Sequence, residues 1–330
     1  MQNPKSYAAD QCALYKIGSK ARLALVLGVS LDRLLFLAHS ENNYREFLLH
    51  EEICPFTKKI TKERLVQEPK LELRKIHERI QKFLNRVIPP DYAHAAIKGR
   101  SYSSNAIVHK DAQRIATFDI HKFYPSTTKS HVYNFFAEQL QCAPNVAALL
   151  GTLTCFKGTS ISNHSGLPTG SPLSPILSLY ANKPLFDRLN QLALSNGLKF
   201  TCYVDDLTFS GDTIPLELTY LVTKALWQQG HLLSVKKTRI FKGNQASHVT
   251  GVVIRNNRIY VPHSRFKKAR KIMAAIDAKK QAVGKLPLVQ KLAGLLGEAA
   301  FLDSRYSSWA KRSYYDLKIA IESAEKEVLN

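Results

Sequence analysis

The sequence predicts an α+β fold in which helical segments precede and follow a central antiparallel sheet. Residues 71–84 place apolar side chains at a helical period with Lys and Arg between them, and Pro89-Pro90 ends the pattern. From Arg114 the sequence changes to short apolar runs rich in branched and aromatic residues, which are typical of strands. From Ser264 onward the helical period returns, so helix, sheet and helix are expected to follow one another along the chain.

Two of the predicted strand segments carry acidic residues. Residues 115–120 form the apolar run Ile-Ala-Thr-Phe-Asp-Ile, which predicts a buried strand with Asp119 inside it. Burying a carboxylate there is costly unless something binds it. Residues 199–211 predict a tight hairpin whose tip carries Asp205 and Asp206. The sheet is therefore expected to present three carboxylates at strand ends.

The segments after this hairpin predict a helix, a second hairpin and a helical C-terminal region. The helix is expected over residues 215–229. Strands at 248–254 and 258–261 are expected to be joined by Asn256-Asn257, because Asn tolerates positive φ. The C-terminal helical stretch has an apolar stripe of Phe266, Ala269, Met273 and Ile276.

The charge of the chain points to its partner. Among 330 residues, 47 Lys and Arg stand against 26 Asp and Glu, a formal net charge of +21. With 45% hydrophobic residues the chain can bury a core, which excludes a disordered basic tail. Excess positive charge on a folded chain indicates nucleic acid or an anionic membrane surface. No stretch reaches the roughly 18 to 20 apolar residues of a spanning helix, and the N-terminus does not resemble a signal peptide. We therefore expect a cytoplasmic protein with a nucleic-acid partner and no membrane partner.

The cysteines indicate neither a disulfide framework nor a zinc site. They are odd in number, widely spaced and never paired as CxxC. Reduced, mostly buried thiols are expected at Cys12, Cys54, Cys142, Cys155 and Cys202.

Three carboxylates at neighbouring strand ends predict a metal site. Asp119, Asp205 and Asp206 cannot all ionise at close range without cations. Mg²⁺ suits them, because it takes oxygen ligands from one or two carboxylates and completes its shell with water and phosphates. Two such ions about 4 Å apart stabilise the attacking and leaving oxygens of phosphoryl transfer. The alternative is an ordinary Asp-Asp turn, which the apolar flanks disfavour.

Three motifs in one order carry a resemblance to reverse transcriptases. YVDD at 203–206 resembles their YxDD box, and FDIHKFYPS at 118–126 resembles the motif that carries the first catalytic Asp. GLPTGSPLSPILS at 166–178 is similar to their LPQGxxxSPxLxN region. Two further matches select a subfamily: NAIVH at 105–109 and VTG at 249–251 resemble signatures of bacterial retron reverse transcriptases.

The resemblance implies a right-hand polymerase with helical fingers, an antiparallel-sheet palm and a helical thumb. The expected segments are an N-terminal region with fingers at 1–113, a palm at 114–261 and a thumb at 262–330. Residues 127–198 would be a segment of the palm that associates with the fingers.

The resemblance also implies a set of catalytic groups. Asp119, Asp205 and Asp206 would be catalytic and would ligate two Mg²⁺ ions, with Mn²⁺ as the alternative ion, and the carbonyl of Ile120 would supply a further oxygen. A lysine would protonate the leaving pyrophosphate. Lys237 fits the family pattern better than Lys236.

Residues that contact the incoming dNTP are implied in the same way. Tyr124 would stack under the sugar and exclude a 2′-hydroxyl. Arg64 would bind the triphosphate bidentately, with Lys62, Lys59 and Lys58 as weaker candidates. Thr169 stands where the family usually has Gln, and it keeps a hydroxyl on a shorter side chain. Gly170 keeps the motif and lets backbone approach the templating base pair.

Nucleic-acid contacts are implied at both signatures and in the thumb. Asn105 and His109 would share a helix face and act as a recognition or scaffold element, together with the VTG triplet. A basic helix at 264–285 would grip the template and primer duplex by its phosphates. The residues expected to contact nucleic acid are Asn105, His109, Val249, Thr250, Gly251, Arg265, Lys267, Lys268 and Lys271.

By resemblance, the chain would use dNTPs to copy its cognate structured noncoding RNA into multicopy single-stranded DNA (msDNA) that stays attached to RNA. Anti-phage defence with a separate effector protein would follow. Two alternatives are another bacterial reverse transcriptase, intron-type or diversity-generating, and a noncatalytic RNA-binding scaffold on the same fold. The NAIVH and VTG signatures argue against the first, and the intact carboxylates argue against the second.

Overall fold

The computed structural model describes residues 6–58, 60–158, 165–243, 245–279 and 282–329. These residues form two units. The first comprises the chain up to residue 49 together with 63–243, and the second comprises 50–62 and 244–330.

The strands are β1 (Tyr44–Leu49), β2 (Glu52–Ile53), β3 (Ile60–Thr61), β4 (Arg64–Pro69), β5 (Arg114–His121), β6 (Lys199–Tyr203), β7 (Asp206–Gly211), β8 (Leu232–Leu233), β9 (Arg239–Phe241), β10 (Ser247–Val249), β11 (Val252–Arg255) and β12 (Arg258–Tyr260). The helices are α1 (Lys20–Leu27), α2 (Leu31–His39), α3 (Leu71–Leu84), α4 (Tyr102–Val108), α5 (Phe123–Ser126), α6 (Lys129–Asn134), α7 (Pro144–Thr154), α8 (Ser174–Ala181), α9 (Lys183–Ser195), α10 (Leu218–Gln228), α11 (His263–Asp277), α12 (Ala282–Leu302) and α13 (Ser307–Leu329).

The first unit is built around a five-stranded antiparallel sheet. Strand β5 lies at its centre and pairs with β7, β8 and β9, while β6 pairs with β7. The predicted strand and the predicted 199–211 hairpin are both confirmed. In the register of this sheet, Asp119 lies opposite Asp206.

Aromatic and aliphatic side chains fill the core beneath this sheet. Phe118 on β5 and Phe209 on β7 are buried and meet edge to face, with ring centroids 5.7 Å apart. The same core takes Ile76 from α3, Leu150 from α7 and Leu177 from α8. Helix α3 spans residues 71–84, as predicted, and its regularly spaced apolar side chains are buried in this core.

The helix expected over 215–229 begins at Leu218. Its first residue donates its N–H to the carbonyl of Pro215 at 3.1 Å, so residues 215–217 form a turn that leads into the helix. The predicted helix is therefore confirmed, but it begins three residues later than expected.

The second unit contains the sheet β10-β11-β12 and the three last helices. The single strand expected over 248–254 is wrong, because the chain turns at Thr250 and Gly251, whose φ angles are +42° and +82°. The second turn is confirmed: Asn256 and Asn257 have φ of +48° and +57°.

The basic helix expected over 264–285 is two helices, since α11 ends at Asp277 and α12 begins at Ala282. The buried face of α11 includes Ile272, whereas Met273, which was expected on this face, is 44% exposed. Both residues fit a helical spacing between Ala269 and Ile276, so the spacing alone could not choose between them.

Within the described ranges, none of the helices is long and apolar enough to cross a membrane. All five cysteines are free thiols, and four of them are buried, as predicted.

Candidate active site

The sheet brings the three predicted carboxylates together. Asp119 lies near the end of β5, and Asp205 and Asp206 lie at the tip of the β6–β7 hairpin. The N–H of Ile120 donates to the carbonyl of Asp205 at 2.9 Å, which fastens the hairpin tip to β5. One backbone bond and one strand register therefore position all three acids.

The hairpin tip is a strained turn. Val204 has a φ of +60°, in the left-handed region that β-branched residues avoid. Such a conformation costs on the order of 1–3 kcal/mol and persists where the surrounding structure imposes it. Here the bond from Ile120 to Asp205 and the paired strands on either side impose it.

The carboxylates oppose one another's ionisation. Burial, followed by the charges of Asp205 and Asp119, raises the pKa of Asp206 to about 7. Burial and the charge of Asp119 also raise the pKa of Asp205, against a smaller opposite effect of Lys237 and Arg64. A cation at this cluster would therefore be bound favourably.

Lys237 is the lysine that the structure places at this cluster. Its Nζ donates to Oδ2 of Asp119 at 2.6 Å, and this hydrogen bond is the main cause that raises the pKa of Lys237. It lies in a 3₁₀ turn after β8, where Ser234 donates its N–H to the carbonyl of Asp119 at 2.8 Å. The lysine is thus fastened to the same strand as the acid that it contacts.

The donor set fits a hard divalent cation, although its present arrangement is not that of a metal-bound site. Among the described residues, no group of three or more His, Cys, Asp or Glu side chains is arranged to hold a metal ion. Instead Asp119 is engaged by the ammonium of Lys237. Carboxylate oxygens are nevertheless the ligands that Mg²⁺ binds in proteins. A bound cation would also relieve the repulsion that contributes to the raised pKa values of Asp205 and Asp206.

Tyr124 lies beside the carboxylates on the short helix α5. Burial, followed by the charge of Asp205, raises the pKa of its phenol. The ring packs against Phe123 with centroids 6.1 Å apart, and Leu167 donates its N–H to the Tyr124 carbonyl at 3.0 Å. The predicted gate residue and the 166–178 motif are therefore joined directly.

The loop that contains Thr169 and Gly170 docks on β4. Gly170 donates its N–H to the carbonyl of Gln67 at 3.0 Å. The Thr169 hydroxyl lies 3.2 Å from the carbonyl of Leu65 and 3.0 Å from Oε1 of Gln67. Gln67 is completely buried, and sequence reasoning missed it because its partners lie about a hundred positions away.

Gly170 should not tolerate a side chain. A Cβ at this position would lie 2.8 Å from the carbonyl oxygen of Gln67 and 2.8 Å from Cγ1 of Val66. We expect Gly170→Ala to lower the free energy of unfolding by about 1–3 kcal/mol. Primer extension should fall about tenfold or more, because the loop must move away from β4. Gly18→Ala is the matched control, since nothing lies within 4 Å of its Cβ. Wild-type melting and extension by Gly170→Ala would contradict the close contact.

The basic residues expected at the triphosphate are placed unequally. Arg64 begins β4, and its charge opposes the rise in the pKa of Asp205. Lys62 follows β3 in the second unit, Lys58 has a φ of +58°, and Lys59 lies outside the described residues. Arg64 is therefore the candidate whose charge acts on the carboxylate cluster.

Asn105 and His109 are both fully buried. The ring nitrogens of His109 bond Ser210 Oγ at 2.6 Å and Thr201 Oγ1 at 2.7 Å, and burial lowers its pKa to about 3. These bonds tie the end of α4 to β6 and β7. The geometry favours the scaffold interpretation of NAIVH over direct contact with nucleic acid.

The VTG triplet forms the turn between β10 and β11. Val249 is buried, and a Cβ at Gly251 would lie 3.4 Å from the guanidinium of Arg265. Arg265 in turn pairs with Glu298 at 2.7 Å, so it links this turn to α12. Lys267 and Lys271 are exposed on α11 and Lys268 is half-buried there.

Comparison with known proteins identifies the class. The family described as "Reverse transcriptase (RNA-dependent DNA polymerase)" matches residues 56–254, more than half of the chain. The chain belongs to the reverse transcriptase family, and the predicted α+β polymerase fold is confirmed.

Curated relatives confirm the resemblance to retron enzymes. The chain is 30% identical over 202 residues to the Retron Se72 reverse transcriptase of Salmonella heidelberg (strain 579083-10), which covers 59% of this chain and 49% of that protein. It is 27% identical over 271 residues to the Retron Mx65 reverse transcriptase of Myxococcus xanthus, and this match covers 77% of this chain and 63% of that protein. The chain therefore spans about half to two thirds of the length of these relatives.

Among solved structures, the chain is similar to the foamy viral protease-reverse transcriptase in complex with double-stranded DNA. The match covers 96% of this chain and 46% of the viral chain. Its TM-score is 0.40 at 18% identity. Telomerase from Candida albicans, with a fragment of telomeric RNA, has a TM-score of 0.43 at 11% identity and covers 86% of this chain and 59% of its own.

Proposed function

We propose that this protein is an RNA-directed DNA polymerase, which joins deoxynucleotides to a primer by attack of the primer hydroxyl on the α-phosphate. The observation that carries the proposal is the meeting of Asp119, Asp205 and Asp206 at one end of the sheet, in a chain of the reverse transcriptase family. Burial beside like charges raises the pKa values of two of these acids, and a lysine is hydrogen-bonded to the third. Such a carboxylate cluster favours the binding of the divalent cations that phosphoryl transfer uses.

The roles of the individual groups follow from their positions. Asp119, Asp205 and Asp206, with the carbonyl of Ile120, would hold two Mg²⁺ or Mn²⁺ ions. When bound, these ions neutralise charge on the attacking and leaving oxygens. Lys237 keeps its proton because of its bond to Asp119, and it is the group to donate that proton to pyrophosphate.

Further residues would bind the incoming nucleotide. Arg64 binds the triphosphate, and its guanidinium suits phosphate oxygens better than an ammonium does. Lys62 assists it. Tyr124, beside Asp205, lies under the sugar and excludes a ribonucleotide. Thr169 and Gly170 shape the loop that faces the nascent base pair, with the hydroxyl of Thr169 held against β4.

We further propose that the enzyme is of the retron type. It would copy its cognate structured noncoding RNA into msDNA in the cytoplasm and act in anti-phage defence with a separate effector protein. The NAIVH and VTG signatures and the similarity to Se72 and Mx65 support this assignment. Lys267, Lys268 and Lys271 on α11 supply positive charge for the phosphates of the RNA and DNA duplex.

The nucleic acid that co-purifies with the protein tests the retron assignment. We expect a branched RNA and DNA hybrid, in which DNase removes one part and RNase the other, and whose sequence reads out the priming nucleotide. Active protein that carries only DNase-resistant RNA would contradict the retron assignment and leave the polymerase assignment standing.

A further inference from the structure

His231 is a buried histidine that the catalytic proposal does not use. It lies in the first unit, directly before β8, and it is completely buried. Both ring nitrogens are hydrogen-bonded, Nδ1 with Ser126 Oγ at 2.7 Å and Nε2 with Asn182 Oδ1 at 2.7 Å. The ring stacks on His131, with centroids 5.1 Å apart, and no sequence motif marks it.

The partners of Asn182 determine the direction of these hydrogen bonds. Its amide nitrogen donates to the carbonyl of Ser178 at 2.9 Å and to Oγ1 of Thr127 at 3.0 Å. A carbonyl oxygen can only accept, so the amide nitrogen must face Ser178 and the amide oxygen must face His231. The proton of His231 therefore sits on Nε2, which donates to Asn182.

The other ring nitrogen accepts. Burial, together with the charge of His131, lowers the pKa of His231 to about 4, so the ring is neutral at pH 7. A neutral imidazole with its proton on Nε2 has a lone pair on Nδ1. The hydroxyl of Ser126 therefore donates to Nδ1 at 2.7 Å, and its oxygen also lies 3.1 Å from the carbonyl of Phe123.

Both hydrogen-bonded routes from this ring end on helix α5. Ser126 is the last residue of α5, and it is reached directly. On the second route Thr127, held by Asn182, donates its hydroxyl to the carbonyl of Phe123 at 2.9 Å, at the start of α5. The Phe123 ring also packs on the imidazole, with centroids 5.6 Å apart. One imidazole thus holds both ends of the turn that carries Tyr124.

We propose that His231 is a positioning residue for Tyr124 and thereby sets how strongly the enzyme discriminates deoxyribonucleotides from ribonucleotides. The proposal rests on the proposed function, in which Tyr124 excludes the 2′-hydroxyl. A steric gate works only if its ring is held to a fraction of an ångström, because a ring that yields lets the larger sugar fit. Helix α5 has only four residues, so its own backbone bonds cannot hold the ring so tightly.

The test is the ratio of kcat/KM for dTTP to kcat/KM for UTP, measured with the full chain on poly(rA) primed with oligo(dT) in Mg²⁺. In His231→Phe the ring can still pack on Phe123 and His131, while both hydrogen bonds are lost. We expect the ratio to fall about tenfold, chiefly through better use of UTP. Ser126→Ala, which removes the Nδ1 bond together with the 3.1 Å contact between the Ser126 hydroxyl and the carbonyl of Phe123, should give a smaller fall in the same direction.

Two further variants make the outcome decisive. Tyr124→Ala removes the gate itself and should lower the ratio more than His231→Phe does. His94→Phe is the control, because His94 is also buried and hydrogen-bonded, but its partner at 2.8 Å is Ser104 on α4. It should lower the melting temperature without changing the ratio.

The two proposals fail in different ways. A lower ratio in Tyr124→Ala with an unchanged ratio in His231→Phe and Ser126→Ala would overturn the role of His231 alone. An unchanged ratio in Tyr124→Ala would overturn the gate. If His231→Phe does not fold, Ser126→Ala takes its place, and a wild-type ratio there overturns the proposal.

Discussion

Replacing Asp205 or Asp206 by Asn should abolish primer extension and, in the absence of Mg²⁺, leave the protein as stable as the wild type or more so. Asn keeps the size of the side chain and removes the charge that a metal ion would bind. A loss of roughly a thousandfold or more in kcat is expected for groups that stabilise charge in the transition state. The gain in stability follows because like-charge repulsion and burial raise both pKa values, which is a cost that the neutral amide does not carry.

Because the rate of primer extension is expected to fall while the melting temperature stays the same or rises, the two measurements separate a loss of catalysis from a loss of folding. Primer extension is measured with Mg²⁺ and dNTPs, and melting is measured with and without Mg²⁺, which should stabilise the wild type and not the variants. Asp212→Asn is the matched control, since Asp212 is exposed just beyond β7. Extension near the wild-type rate in Asp205→Asn would refute the metal assignment. A lower melting temperature without Mg²⁺ would refute the repulsion.

The carboxylate site could be predicted because its logic is local. The sequence itself shows an acid inside an apolar strand and two acids at the tip of a hairpin. Few strand registers of such a hairpin bury the apolar residues that flank these acids. The structure confirms both elements and shows Asp119 opposite Asp206. The strain at Val204 has no sequence signal, because Val is a strong strand former and its positive φ is imposed by the bond between Ile120 and Asp205.

The supporting residues could not be predicted because they act over long chain distances. Gln67 contacts Thr169, and His231 contacts Ser126 and Asn182, through hydrogen bonds between segments that no periodicity connects. The same limit affected His109, whose four-residue spacing from Asn105 indicated a shared helix face. The spacing could not show that the face is buried against β6 and β7.

The buried histidines should make the protein acid-labile between about pH 6.5 and pH 4. His77 donates from Nε2 to the carbonyl of Leu153 at 2.8 Å, accepts at Nδ1 from Ser171 Oγ at 2.7 Å, and has its pKa lowered by burial from 6.5 to about 4. His231 has a pKa of about 4 and His109 one of about 3, also because of burial. In this interval the unfolded chain binds more protons than the folded one, so the free energy of unfolding falls as the pH falls.

For His77 the loss is about 3 kcal/mol over the whole interval, because a tenfold difference in proton affinity between the folded and unfolded chain is worth about 1.4 kcal/mol. It is measured as the free energy of unfolding in urea at pH 7, 6, 5 and 4, in wild type and in His77→Gln. The difference between the two curves isolates His77. The raised pKa of Asp206, whose effect has the opposite sign, is common to both. His39→Gln, at an exposed position on α2, should leave the curve parallel to that of the wild type. Parallel curves for His77→Gln and wild type would show that His77 titrates alike in the folded and unfolded chain, and would contradict its neutral, doubly bonded state.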